Sequence, residues 1–410
     1  MAPFPLHLVS IFGSVGTYLI YMLIGFAFGF VLEVAGFGNS EKLAGQFYFK
    51  DLTVLKVMFT AIVVGMVLIY GASALGILDL NLIWINPTYL WPGIVGGLIM
   101  GVGFILGGFC PGTSLVSAAT FKLDGLLFAL GTAFGILVFG ETVEYFDVFW
   151  NSSYMGRFTL DELFGVPTGW VVVGVVLMAL FMFWGGEQLE RIFGGKDPSK
   201  APRARYVGAG VLIAIAVAVL IIGQPTVADR WARIAPEKQA ELQNLEAQLQ
   251  PGEVLSIMHD HQLKLIILDV RSEVDYNLFH LEDARHVPLD RIESEVAELQ
   301  LEGANTVFLL TSNDEAAATE AWKVLNALSV PNAYILEGGM NGWIETFASE
   351  EDPIEPIDGP VGEDELRYKF VAALGAAYNC SEPDPEDYEL EYEQRLKLEI
   401  KRGPMGGGCG

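Results

Sequence analysis

A polytopic α-helical membrane domain carrying re-entrant helices, followed by a soluble α/β domain, is the fold class this sequence predicts. Three observations predict it. Apolar stretches fill the chain up to about Gln224, polar and acidic sequence takes over after Asp229, and within that second part short apolar runs alternate with helical patterns. The formal charge of -26 falls mostly in the second part, which excludes nucleic acid as a partner and describes an acidic, solvated surface. Three cysteines, Cys110, Cys380 and Cys409, are too few and too scattered for a disulfide framework or a zinc site. No cofactor and no metal are expected.

The first part, residues 1–224, contains runs near Thr17 to Phe37, Val54 to Leu78, Tyr89 to Phe109, Leu123 to Phe146, Thr168 to Trp184 and Tyr206 to Ile222. Each is about long enough to cross a hydrocarbon core as a helix, so six spans in contact with lipid are expected. The N-terminus lacks a basic n-region and a cleavage-like site, so no cleavable signal is expected. Lysines and arginines set the orientation. Lys42 and Lys50 follow span one, with Lys56 just inside span two, Lys122 follows span three, and Arg191, Lys196, Lys200, Arg203 and Arg205 follow span five, whereas spans two and four are followed by Arg157 alone among several acids. The positive-inside rule then places the N-terminus and the soluble part outside, which in a bacterial inner membrane is the periplasm.

An internal repeat stands at an offset of 72: GFGNSEKLAGQFYFK (Gly36 to Lys50) lies over GFCPGTSLVSAATFK (Gly108 to Lys122). In both copies an apolar span ends in glycine, a segment rich in small residues follows, and the next span begins. Irregular backbone at membrane depth is tolerated only where protein buries it or water lines it, so segments 38–50 and 110–122 read as re-entrant helices beside a pathway, with tight loops outside the membrane as the alternative. The lining candidates are Gly38, Asn39 and Ser40 in the first copy and Cys110, Pro111, Gly112, Thr113 and Ser114 in the second. A neutral thiol at Cys110 suits a large, polarisable sulfur anion, because it is a weak donor that stabilises without trapping; a small buried hydrophobe is the plainer reading of the same residue. Glu33 is an intramembrane carboxylate, readable as a coupling group or as a snorkelling side chain at a span end.

GGFCPGTSLVSAATFKLDG (Gly107 to Gly125), together with GFAFGFVLEVAGFG upstream, resembles the YeeE/YedE family of sulfur-compound transporters. The resemblance implies that cysteines beside paired re-entrant helices line a narrow path and pass thiosulfate along by S–H···S contacts. Cys110 matches one of those positions, and Gly38 stands where the first repeat would carry its thiol. A full-length member has two such halves. This chain carries one half plus two further spans, which implies a homodimer or a partner membrane subunit.

In the second part, Asp229 to Leu249 is expected as an amphipathic helical linker (residues 225–250), and KLIILDVRS, ARHVPL, TVFLLTS and NAYILEGG as strands, with AAATEAWKVLNAL as a helix. LDVRSEVDYNLFHLEDARHVPL and YILEGGMNGW resemble the rhodanese family within residues 251–352, with Asp269, Arg271, His280, Gly338, Gly339 and Trp343 at signature places. A rhodanese carries its nucleophilic cysteine directly after the third strand. Here that stretch reads FLLTSNDEAAA, with Thr311 or Ser312 in the thiol's place and with Asp314 and Glu315 expected to repel an anion. The site is degenerate, and docking, gating or scaffolding is what the resemblance leaves to the domain. Residues 353–410 form an acidic tail in which GEDELRYKFVAALGAAYNC is expected to be a helix, ending in a glycine-rich arm that carries Cys409. Cys409 and Cys380 are the candidate sulfur-relay thiols, a periplasmic disulfide being the other use for them, and a soluble sulfur carrier the partner such a relay implies.

A transporter for thiosulfate or a related inorganic sulfur anion, with a non-catalytic rhodanese-like domain, is the function expected. The alternative is a membrane-tethered sulfurtransferase that works through Cys409 or Cys380.

Overall fold

Among the described residues, six helices are long and apolar enough to cross a membrane. The computed structural model describes residues 3–6, 8–195, 203–349, 352–388 and 391–399, and the chain divides between Gln224 and Pro225 into two compact units. In the first unit α1 (Leu8–Val34), α3 (Thr53–Ala74), α4 (Leu90–Gly107), α6 (Leu123–Thr142), α9 (Thr168–Phe193) and α10 (Ala204–Ile222) are the long helices. Between them lie α2 (Ser40–Ala44), α5 (Pro111–Ala119), α7 (Asp147–Trp150) and α8 (Leu160–Phe164). The first span begins nine residues before the expected Thr17, at Leu8, because the helix continues across a kink at Gly13 (φ 66°, ψ 178°). Thr17 Oγ1 donates to the Gly13 carbonyl at 2.8 Å and so satisfies a backbone group that the kink frees.

Close packing gathers α3, α9 and α10. Val63 and Val67, Val172, Val176 and Ala179, and Ala216 and Val219 form one apolar cluster. Gly169 makes the approach of α9 to α10 possible, since a Cβ there would lie 2.7 Å from Leu220 Cα. A second cluster, Phe37, Leu43, Val54 and Phe109, sits where α1 and α4 end, so each copy of the repeat contributes its phenylalanine. Glu190, near the end of α9, is buried: Oε1 accepts the Leu52 N–H at 2.7 Å and Oε2 pairs with Lys56 Nζ at 2.5 Å. Leu52 is the N-cap of α3, so this carboxylate from a distant helix satisfies an amide that α3 leaves open.

The second unit is built on a five-stranded parallel sheet in the order β1-β5-β4-β2-β3. Its strands are β1 (Gln248–Leu249), β2 (Lys264–Asp269), β3 (Arg285–His286), β4 (Thr306–Thr311) and β5 (Ala333–Leu336). Its helices are α11 (Val227–Gln243), α12 (Pro251–Met258), α13 (Glu273–Leu278), α14 (Ile292–Leu299), α15 (Ala316–Ala327) and α16 (Gly339–Phe347). Alternation divides the strand residues between two cores. Ile267, Val307, Leu309 and Leu336 pack with Trp343, while Ile266, Leu268, Phe308, Leu310 and Ile335 pack with Trp322. β4 is buried along its whole length, as a central parallel strand covered on both faces must be.

Two segments differ from expectation. Residues 227–243 are helical, but α11 lies on the domain: Trp231 meets Trp322 edge to face at 6.1 Å, and Gln248–Leu249 beyond it pairs with β5 as an edge strand. The stretch Gly362 to Cys380 is not a helix. Tyr368–Phe370 forms β7 and pairs antiparallel with β6 (Ile354–Pro356), after which Tyr378 and Cys380 join the Trp343 core. Pairing and burial outweigh the helical propensity of its alanines. The last described residues are also held down: Glu253 Oε1 accepts from Arg395 N (3.0 Å) and Leu396 N (2.9 Å), Tyr334 Oη accepts from Lys397 N (3.0 Å) and Asn332 Oδ1 from Glu399 N (2.7 Å).

Glu253→Ala removes the acceptor of two of these bonds. Release of residues 391–399, seen as faster amide hydrogen exchange at 395 and 396, and a loss of about 1–3 kcal/mol of domain stability by denaturant titration are expected.

Candidate functional site

The two breaks in the membrane unit repeat in backbone geometry as they do in sequence. Gly36 (φ 80°) and Gly108 (φ 69°) take the left-handed conformation 72 residues apart, and so do Phe49 (φ 53°) and Phe121 (φ 60°). The breaks touch: a Cβ at Gly108 would lie 3.0 Å from the Ser40 carbonyl oxygen, which makes glycine necessary there.

Cys110 is the N-cap of α5. Its backbone is extended (φ −94°, ψ 167°), its Sγ accepts the Thr113 N–H at 3.4 Å, and its own N–H donates to Thr113 Oγ1 at 2.9 Å. The Thr113 hydroxyl reaches both Sγ (3.3 Å) and the Cys110 carbonyl (3.2 Å) with its single proton. Pro111 occupies the first helical position, where its missing N–H costs nothing. The thiol is half-buried, and Gly112 is likewise intermediate; Thr113 and Ser114 are buried, and Ser114 Oγ donates back to the Pro111 carbonyl at 2.7 Å. Both hydroxyls therefore serve the break itself, and Cys110 is the accessible polar atom at its head.

In the first break the cap is one residue out of register. Gly38 is buried and aligns with Cys110, while Asn39, exposed, caps α2 by accepting from Glu41 N (2.9 Å) and Lys42 N (3.4 Å). Ser40 is half-buried at the start of α2. Lys42 Nζ donates to the Ala35 carbonyl at 2.6 Å, satisfying the end of α1. Glu33 is ion-paired: its Oε1 is 3.2 Å from Lys122 Nζ, which also donates to the Gly38 carbonyl at 3.0 Å. Lys122 enters the sequence reading only as an orientation marker and a repeat match. The signal that finds it is its place just past the end of α5, at the N-cap of α6, in a segment otherwise made of small and apolar residues.

In the α/β unit, Asp269 and Arg271 form a buried fork at the end of β2, with Arg271 Nη2 2.6 Å from Asp269 Oδ2 and Nε 2.9 Å from Oδ1. Arg271 also donates to the Asn313 side chain (3.2 Å) and the Phe279 carbonyl (2.6 Å), so it ties β2 to the loop after β4. Thr311 and Ser312 are fully buried; Ser312 Oγ accepts the Ala318 N–H at 3.2 Å. Neither hydroxyl faces an open site.

That loop already holds an anion. Asp364, from the segment beyond β6, places Oδ1 2.6 Å from Asp314 N and Oδ2 2.8 Å from Ala317 N, across the start of α15. Its backbone is left-handed (φ 56°), and the Asn313 side chain donates to its carbonyl at 2.9 Å. Asp364 thus reaches these amides in spite of the neighbouring carboxylates of Asp314 and Glu315. Asp314 is paired with Arg367 (2.8 Å) and Asn341 (3.0 Å), Glu315 accepts the Gly338 N–H (2.8 Å), and the amides of Asp314 and Ala317 take the Asp364 carboxylate. Gly339 (φ 58°) is required beside the loop, since a Cβ there would overlap the Asp314 carbonyl. The open hollow next to it, about 790 Å³, is lined by Asp314, Glu315, Glu320 and Glu363 against Arg367, an unfavourable setting for a second anion.

Cys380 is a core residue. Its carbonyl accepts the Trp343 indole N–H at 2.7 Å, and burial, followed by the charge of Asp352, pushes its thiol up to about 12. A buried thiol held protonated is a poor nucleophile at neutral pH. Cys409 lies outside the described residues. Among the described residues no group of three metal-ligating side chains comes together.

Comparison with known proteins follows these two units. The family described as sulphur transport matches residues 35–240, and the rhodanese-like domain family matches residues 250–346. The thiosulfate transporter TsuA of Spirochaeta thermophila is 25% identical over 215 residues, which is 47% of this chain and 59% of the length of that transporter. No solved structure matches.

Asp364→Ala is expected to raise amide exchange at Asp314 and Ala317 about tenfold or more, in keeping with the loss of about 1.5–3 kcal/mol for hydrogen bonds to a charged group. Cys380 is expected to resist maleimide at neutral pH until the domain is denatured. Its raised value means that the folded state holds the proton more tightly, so the contribution is full below the ordinary thiol value of 9.0 and is lost as pH rises from there toward 12. Labelling between pH 9 and 12, in a chain with Cys110 and Cys409 replaced by alanine, checks it.

Proposed function

We propose, because this chain belongs to the sulphur transport family, that it carries thiosulfate or a closely related inorganic sulfur anion across a membrane, with the half-buried thiol of Cys110 as a contact on the path. The observation that carries this reading is the geometry at Cys110. Its Sγ lies at the head of a helix, already accepting one amide, at the point where two repeated breaks meet. A thiol there offers a weak S–H donor to a passing sulfur anion, and the amides of the first turn add favourable potential without a fixed charge that would trap the ion. The resemblance to TsuA, named as a thiosulfate transporter, supports the substrate.

The rest of the reading concerns assembly. The path is completed by a second copy of the chain or a partner membrane subunit, which supplies the half that a full-length family member carries in one chain. The membrane is the bacterial inner membrane, and the distribution of lysine and arginine between the loops supports a periplasmic α/β domain. That domain is a docking or gating module toward a soluble sulfur carrier rather than a sulfurtransferase: no cysteine falls within residues 250–346, and its loop amides are occupied by Asp364.

Purified chain in liposomes is expected to take up labelled thiosulfate above the level of empty vesicles, and Cys110→Ala to lower that uptake at least about tenfold, since the thiol's contribution is realised in transit. Uptake by Cys110→Ala at the wild-type rate would remove the thiol from the mechanism. Thiocyanate formation from thiosulfate and cyanide by the full chain would overturn the non-catalytic reading of the α/β domain.

A further inference from the structure

The repeat sets Gly38 opposite Cys110, yet the space beside Gly38 is filled. A Cβ at position 38 would lie 2.3 Å from Glu33 Oε2 and 3.0 Å from Lys122 Nζ. An ammonium and a carboxylate thus occupy the volume that a side chain at the thiol-equivalent position would enter. Lys122 follows α5, so the short helix that begins at the Cys110 thiol is followed, just past its end, by this cation.

The pair is held in a way that allows exchange. Lys122 Nζ has three protons to donate, and its partners are Glu33 Oε1 at 3.2 Å and the Gly38 carbonyl at 3.0 Å. Glu33 Oε2 has no partner among the described residues, and the two side chains are 44% and 37% exposed. Lys56–Glu190 in the same unit is the contrast: 2.5 Å apart, 28% and 7% exposed, and tied to a backbone amide. That pair is a brace, whereas Glu33–Lys122 is open on one side. Other charges near the breaks include Lys42, bound to the Ala35 carbonyl, Glu41, exposed in the first turn of α2, Lys50 and Asp51 at the end of the first break, Lys50 being the repeat equivalent of Lys122, and Asp124 in the first turn of α6.

A doubly charged anion in a low-dielectric passage is poorly served by a thiol alone, since a neutral weak donor cancels little of its charge. We propose that Lys122 is the cationic contact of the anion path, standing where the first repeat lacks a thiol, and that Glu33 is the counter-ion it leaves when a sulfur oxyanion arrives. This rests on the transport reading and adds a charge-bearing residue to it. Glu33 then acts as a positioning residue for Lys122.

The test uses the full chain, reconstituted for thiosulfate uptake and, separately, in detergent for the shift in melting temperature that thiosulfate produces. Lys122→Met is expected to raise KM about tenfold or more while Vmax changes less than about threefold, Lys122→Arg to keep KM within about threefold of wild type, and Glu33→Gln to leave KM equal or lower. The thiosulfate-induced melting shift should be lost in Lys122→Met and kept in Lys122→Arg. Wild-type KM in Lys122→Met, or equal impairment in the methionine and arginine variants together with a lowered melting temperature, overturns the proposal in favour of a structural tie. A wild-type chain that shows no uptake but a Lys122-dependent melting shift overturns transport and supports the site. Absence of both overturns the two together.

Discussion

A helix that breaks between apolar spans frees backbone groups, and the chemistry of the first unit depends on how those groups are satisfied. At the end of α1 the work falls to Lys42 on the Ala35 carbonyl and Lys122 on the Gly38 carbonyl; at the start of α2 it falls to Asn39, and at the start of α5 to Cys110. Each of these groups is polar because the backbone demands a partner. The thiol of Cys110 is thus a structural cap and a soft surface at one atom, which is why its position in the chain is so closely framed by glycine, proline and threonine.

The α/β unit meets the same constraint with a different outcome. The turn from β4 into α15 also presents open amides, and here the partner is a carboxylate from the chain itself. Asp364 adopts a left-handed backbone to reach them, and Arg367, Asn341 and Asn313 hold the segment in place. The arrangement fixes the tail to the loop and leaves the buried hydroxyls of Thr311 and Ser312 without access. In one unit a helix start is capped by a half-buried thiol; in the other it is closed by an internal anion.

Much of the fold was legible because its causes are local. Six apolar runs of membrane length, the offset-72 repeat and the strand–helix alternation of residues 264–336 each follow from periodicity or composition that a short window contains. The left-handed backbone at Phe49 and Phe121 shows the repeat reaching even positions where sequence offers no special residue. The helix expected across Gly362 to Cys380 failed for the converse reason: Tyr368–Phe370 finds a partner strand, and Tyr378 and Cys380 find a core, and neither is visible within the segment.

The sequence by itself determined the division into a membrane part and an α/β part, the two breaks, and the singular position of Cys110, because hydrophobic length and glycine placement act over a few residues. Only the tertiary structure decided which cation or backbone amide each carboxylate meets. Glu33 lies 89 residues from Lys122, Leu52 lies 138 from Glu190, and Asp364 lies 50 from Asp314. Such pairs are chosen by the packing of helices and by the exclusion of water around them, and no local pattern in the chain encodes a partner at that separation.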